Sequence, residues 1–149
     1  IVLDLHTRKV LGWATAPHMR TELPLESLDM AIARRGRPTG LVHHSDRGAQ
    51  FTSQAFRDRT ARAGISLSMG ATGSAYDNAM VETVFKTIKS ECVWRTSFRS
   101  RVEAGNAIGL YIEGFYNPQR RHSSLGYKSP AAFETDFKIK GQTEKMALH

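Results

Sequence analysis

The sequence predicts an α/β fold in one domain, and three observations carry that prediction. Short apolar runs alternate along the chain with longer segments of helical periodicity. Between them lie Gly, Pro and polar clusters of a few residues, with no clear interdomain linker, repeat or low-complexity segment. A length of 149 residues is enough for one domain with a real core and not for two.

Each element has its own local reason. Ile1–Leu5 and Val10–Thr15 are apolar runs joined by His6-Thr7-Arg8-Lys9, the pattern of a hairpin. Thr21–Arg35 repeats Leu25, Leu28 and Ile32 at helical spacing and stops at Gly36, with Pro38 beyond. Leu41–His44 is a short strand that runs into the segment HHSDRGAQFTS, His43 to Ser53. Ser53–Ala63 reads as a helix with Ala55, Phe56 and Ala63 inward, ended by Gly64. Ile65–Met69 alternates strictly and is a half-buried strand. Gly70–Ala75 is loop, and a helix follows from Tyr76 to Val93. Ser74 or Asp77 is available to cap it, and Val81, Val84, Phe85, Ile88 and Cys92 form its buried stripe. Val102–Tyr116 is a further helix closed by Asn117-Pro118. The expected organisation is a core over 1–136 and a polar, frayed tail over 137–149.

Composition excludes several classes. Hydrophobic content of 40% with 23% charged residues belongs to a soluble globular chain rather than a disordered one. No apolar run approaches the roughly 20 residues of a membrane helix, and no signal peptide opens the sequence. Cys92 is the only cysteine, which rules out an internal disulfide and a cysteine-based zinc cage and fits a reducing cytoplasm. The chain opens at Ile1 inside an apolar run without an initiating Met, so a piece of a longer protein is expected. Its net charge of +7 and pI of about 9.9 suit a polyanionic partner, with a merely solvated basic surface as the competing reading.

Two carboxylates stand out. Asp46 follows a strand, and Glu82 lies on the Tyr76–Val93 helix, with residues 47–81, 35 in all, between them. At ~100° per residue, Glu82, Lys86 and Lys89 share a narrow sector beside the buried stripe. An ordinary Glu–Lys pair on a solvated face explains that sector equally well. The histidines beside Asp46 are not needed by a hard cation: His43 reads as strand surface and His44 as a neighbour of the site. Gly48 reads as relieving the turn after Asp46, and Phe51 as core. Trp13 and Trp94 read as structural.

The segments HSDRGAQFTS, GSAYDNAMVETVFKTIKSE and FYNPQRRHSSLGYKSPAAF, in this order and with this gap, resemble the integrase core of bacterial insertion-sequence transposases. These belong to the retroviral-integrase superfamily, whose triad is Asp, Asp, a 35-residue gap and Glu. The resemblance runs from VLDLHTRKVLGWA to Phe133. It implies a ribonuclease-H-like mixed sheet flanked by helices, with Asp46 and Glu82 as catalytic, metal-holding carboxylates. It implies Mg²⁺ or Mn²⁺ as cofactor, because two ions about 3.5–4 Å apart clamp the attacking and leaving oxygens of a phosphodiester. In the resemblance a basic residue seven positions after the Glu matches Lys89, and Asn78 matches the YDNA segment that steadies the site. Lys86 and Gln50 are further candidate DNA contacts, and His44 and Gly48 candidate supports of the site. Arg120, Arg121 and His122, next to Tyr116 and Asn117, form a basic and aromatic cluster that suits DNA, with packing of the aromatic as the equal alternative. Implied partners are mobile-element ends and target DNA, further copies in a homo-multimer, and a separate helix-turn-helix part. A bacterial cytoplasmic, nucleoid-associated location follows, with no membrane. In the same resemblance, Ile1–Leu5 matches the second strand, so the first strand and its Asp have no counterpart. Asp4 then falls in a turn, and the chain alone is expected to be inactive. The alternative is a non-catalytic DNA-binding or protein-interaction remnant of a transposase.

Overall fold

A computed structural model describes residues 1–36, 40–69 and 75–147, with side chains described to Ile139 apart from 75–78. The first hairpin is short. β1 (Val2–Leu3) pairs antiparallel with β2 (Val10–Gly12), and Asp4 organises the turn by accepting the His6 and Thr7 amides at 2.9 and 3.0 Å. α1 (Glu22–Arg35) packs across β2 at Gly12, where an added Cβ would stand 1.8 Å from the Ser27 carbonyl oxygen. Only glycine allows that approach. Leu28 and Ala31 of α1 are buried; Leu25 and Ile32 are half-buried.

β3 (Val42–Ser45) leads into α2 (Ala49–Thr52) and α3 (Gln54–Arg62), and the chain returns as β4 (Ser66–Met69), parallel to β3 in the register Val42↔Ser66 to Ser45↔Met69. Ser53 caps α3 by accepting the Phe56 amide. Phe56, Thr60 and Ala63 face inward, but Ala55 is exposed. Thr60 takes the inward place one turn after Phe56, its hydroxyl satisfied by the Phe56 and Arg57 carbonyls.

α4 (Ala75–Glu91) packs against both β2 and β3. Its Val84 and Ile88 join Val10, Ile112 and Tyr116 in the central core. The stripe expected on α4 therefore divides: Val81 is half-buried and Phe85 is 42% exposed, both on the flank turned to β3. α5 (Arg101–Tyr111) is capped by Ser100 and continues into a wider π turn, Ile112–Tyr116. Its Gly105 and Gly109 admit Thr15 and the Trp13 ring. α6 (Pro130–Ala147) runs unbroken through the segment read as a frayed tail.

The α/β character is as expected, and the sheet differs from a single continuous one. Among the described residues the strands form two pairs, β1–β2 and β3–β4. A cavity of about 420 Å³, lined by Ile1 and Val2 on one side and His43–Ser45 on the other, separates them. No helix among the described residues is long and apolar enough to cross a membrane.

Candidate active site

Asp46 stands just past the buried end of β3. Its Oδ1 accepts the Gly48 amide at 2.9 Å, a local turn that carries the chain off the strand. Gly48 is needed for space and not for conformation. Its φ of −57° is ordinary, but a Cβ would lie 2.6 Å from Gln50 Nε2 and 2.9 Å from Asp46 Oδ1. Glu82 reaches the same space from α4. Asp46, Glu82, His44 and Gln50 thus share the 420 Å³ cavity, with Ile1, Val81 and Phe85 as apolar wall. Both carboxylates are exposed to solvent at its mouth.

The two histidines differ. His43 is not strand surface: its ring meets Phe56 edge-on at 5.4 Å and lies 6.1 Å from Phe51. Burial pushes its pKa below the usual imidazole range, so it is neutral, and its Nδ1 is buried without a hydrogen-bond partner. His44 Nδ1 lies 3.2 Å from Ser68 Oγ on β4, a contact the parallel register makes. Ser45 Oγ is likewise buried without a partner at the cavity floor. A small oxygen-ligated cation suits this donor set: two exposed carboxylates, a hydroxyl and the Gln50 amide are hard ligands, and Mg²⁺ keeps several waters. Among the described residues no three His, Cys, Asp or Glu side chains gather around one point. Asp4 is engaged elsewhere, in its turn and in an ion pair with Arg35. Burial opposes its charge, but the Thr7 amide, Arg35 and the His6 amide outweigh that and hold its pKa below the usual carboxylate range.

The basic candidates separate into two groups. Lys86 and Lys89 are exposed on α4 and line neither cavity. Arg120 and Arg121 line a second cavity of about 520 Å³ on the other flank of α4. Arg120 grips Glu91 with two nitrogens at 2.7–3.1 Å, and Tyr111 donates to the same carboxylate. The Asn78 side chain, with the loop before α4 and the Ser74 and Asp77 caps, lies outside the described residues.

Sequence reasoning missed three residues. Arg8 lines the second cavity from a hairpin position at φ +60°, Glu91 holds Arg120, and Asn117 bonds both backbone groups of Val10. A basic residue at the third position of the hairpin connection was the only available signal for Arg8.

Comparison with known proteins agrees with this fold. Two family models described as integrase core domain match residues 1–75 and 63–130. A transposase for insertion sequence element IS904 from Lactococcus lactis is 38% identical over 132 residues, 89% of this chain and 52% of that protein. Transposase InsF for insertion sequence IS3A from Escherichia coli K12 is 41% identical over 134 residues, 90% of this chain and 46% of that protein. The chain spans about half the length of these relatives. Among solved structures, the catalytic core domain of BIV integrase superposes with a TM-score of 0.54 at 18% identity, covering 91% of this chain and 80% of that one. The simian T-cell lymphotropic virus intasome, in complex with PP2A regulatory subunit B56 gamma, gives 0.58 at 17% identity over 77% of this chain and 40% of that one. The matching models, the insertion-sequence relatives and the shared ribonuclease-H-like fold place this chain in the integrase core domain family.

Proposed function

We propose that this chain is the catalytic part of an insertion-sequence transposase that cuts and joins DNA at the ends of its element. The observation that carries the reading is that Asp46 and Glu82, from a strand end and a helix, open onto one cavity. Proteins of this superfamily generally use divalent metal ions, and the two carboxylates would hold Mg²⁺ or Mn²⁺ here. When bound, the ion supplies charge stabilisation at the phosphorus and lowers the pKa of a nucleophilic water. The chain's own part is to aim the carboxylates: the Gly48 amide fixes Asp46, and the packed Val84–Ile88 face fixes α4. Lys86, Lys89, Arg121 and Gln50 would take phosphates as positioning contacts. The reading includes DNA as partner, assembly with further copies, a separate helix-turn-helix part and a cytoplasmic, nucleoid-associated location.

Among the described residues Asp46 and Glu82 are the carboxylates at the cavity, and that pair is expected to bind one ion without bridging a second. This favours a second reading, in which the chain binds DNA without cutting it. Mn²⁺ titration followed by electron paramagnetic resonance tests the site. Wild type should bind, and Asp46→Asn or Glu82→Gln should weaken binding about tenfold or more; unchanged binding in both variants would remove the proposed site. Nicking and strand-transfer assays on element-end DNA should show no product from the chain alone. Turnover abolished by Asp4→Asn would show that Asp4 belongs to the triad after all.

A further inference from the structure

The second cavity has no role in the metal site, and its lining is unusual in three respects. It gathers Arg8, Arg120 and Arg121 with His122. Glu91 neutralises Arg120, whereas among the described residues no carboxylate pairs with Arg8 or Arg121. Two polar atoms at its wall, Tyr116 Oη and His122 Nε2, are buried with no hydrogen-bond partner. Tyr116 is 1% exposed, and burial pushes its pKa up to about 12, so its hydroxyl remains a donor. Buried polar atoms without partners are costly, and a site that holds them beside surplus positive charge suits an anion with several acceptor oxygens. The backbone adds a third sign. Arg8 and Tyr127, at φ +60° and +59°, are the two non-glycine residues with left-handed backbone among the described residues, and both line this cavity. Such strain persists where surrounding structure imposes it, and it clusters at ligand sites.

We propose that this cavity is a metal-independent phosphate-binding site in which Arg8 and Arg121 supply charge and Tyr116 Oη and His122 Nε2 supply directed hydrogen bonds. Arg120, pinned by Glu91, forms its fixed back wall. The occupant's chemistry is a phosphate group, as a DNA phosphodiester or a free phosphate compound. Only the DNA source rests on the transposase reading. For DNA the placement is apt. Thr83 and Thr87 of α4 face this cavity, Glu82 faces the other, and Lys86 falls on the arc between them. A helix is about 10–12 Å across, so one strand passing over α4 would present a phosphate here a few nucleotides from the carboxylates.

The test uses the whole chain in EDTA, which silences the metal site. Two variants are informative: Arg8→Gly removes the charge and relaxes the left-handed φ, and Tyr116→Phe removes one hydroxyl without touching the ring packing. Circular dichroism checks that both fold. One arm measures the thermal midpoint in inorganic phosphate against chloride at matched ionic strength. The other measures anisotropy of a short fluorescent DNA duplex across a salt series. Wild type should gain stability in phosphate, and both variants should lose most of that gain. Arg8→Gly should reduce the DNA salt slope by about one. Tyr116→Phe should weaken DNA binding about tenfold, as for a lost bond to a charged group. Loss in both arms, or in the DNA arm alone, identifies the occupant as a nucleic-acid phosphate. Loss in the phosphate arm alone supports the site with a free phosphate compound as occupant, and would count against DNA here. Variants that match wild type in both arms would overturn the proposal.

Discussion

At the scale of single residues, the placement of Asp46 depends on a neighbour that has no side chain. Gly48 lets the Asp46 carboxylate and the Gln50 amide converge where any Cβ would intrude. Gly48→Ala is therefore expected to displace Gln50 and Asp46 rather than to unfold the protein. Both obstructing atoms end flexible side chains, so stability should change by only about 1 kcal/mol. Mn²⁺ affinity should fall severalfold, because the carboxylate that moves is half of the proposed ligand pair. Urea unfolding and metal titration on the same sample separate the two effects. Full retention of metal binding would show that the turn after β3 tolerates a shifted Asp46.

At the scale of elements, α4 and α5 are joined by a polar clasp. Glu91, at the end of α4, accepts from Tyr111 at the end of α5 and from Arg120 beyond it. The Arg120 guanidinium beside Glu91 holds its carboxyl below the usual range, against the opposing effect of burial and with help from the Tyr111 hydroxyl. The folded pKa lies below the unfolded one, so this contribution is fully present above the unfolded value of about 4.5. It is lost as pH falls through the lower folded value. Glu91→Gln should thus lower the urea midpoint at neutral pH and flatten its decline on acidification; an unchanged acid limb would show that the clasp carries no linkage. Elements were also the level at which the sequence was most legible. Periodicity located α1, α3, α4 and α5 to within a few residues because apolar spacing reflects burial directly. It misassigned Ala55 and Phe85, since a residue on the flank of a stripe faces core or cavity according to what packs beside it. α6 was not anticipated: the residues from Phe137 read as a frayed tail, but a polar composition does not itself break a helix. The pair Asp46 and Glu82 was visible as a spacing and a resemblance. Arg120, Arg121 and His122 beside Tyr116 were visible as one basic and aromatic cluster, but Arg8 could not be joined to it, because the hairpin and that segment meet only in the folded chain.

At the scale of the whole molecule, the two ends of the sequence hold each other. Asn117 substitutes for a strand neighbour, its Oδ1 accepting the Val10 amide at 2.9 Å and its Nδ2 donating to the Val10 carbonyl at 3.0 Å. Arg35 bridges Asp4 and Glu134, and Lys9 reaches the same glutamate at 2.7 Å. Asn117→Ala would leave two backbone groups of a fully buried residue without partners and should cost about 2–4 kcal/mol, measured by urea unfolding. A loss below about 0.5 kcal/mol would mean that water or a shifted chain replaces the amide. This pairing also sets a clock. Val10 and Asn117 are separated by 107 positions, so on a ribosome adding roughly 5–20 residues per second the partner of the N-terminal hairpin arrives about 5–20 seconds after it. Throughout that interval both backbone groups of Val10 lack their Asn117 partner and its side chain lacks Ile112 and Tyr116, so the nascent chain is a natural client for a chaperone that binds short extended hydrophobic segments.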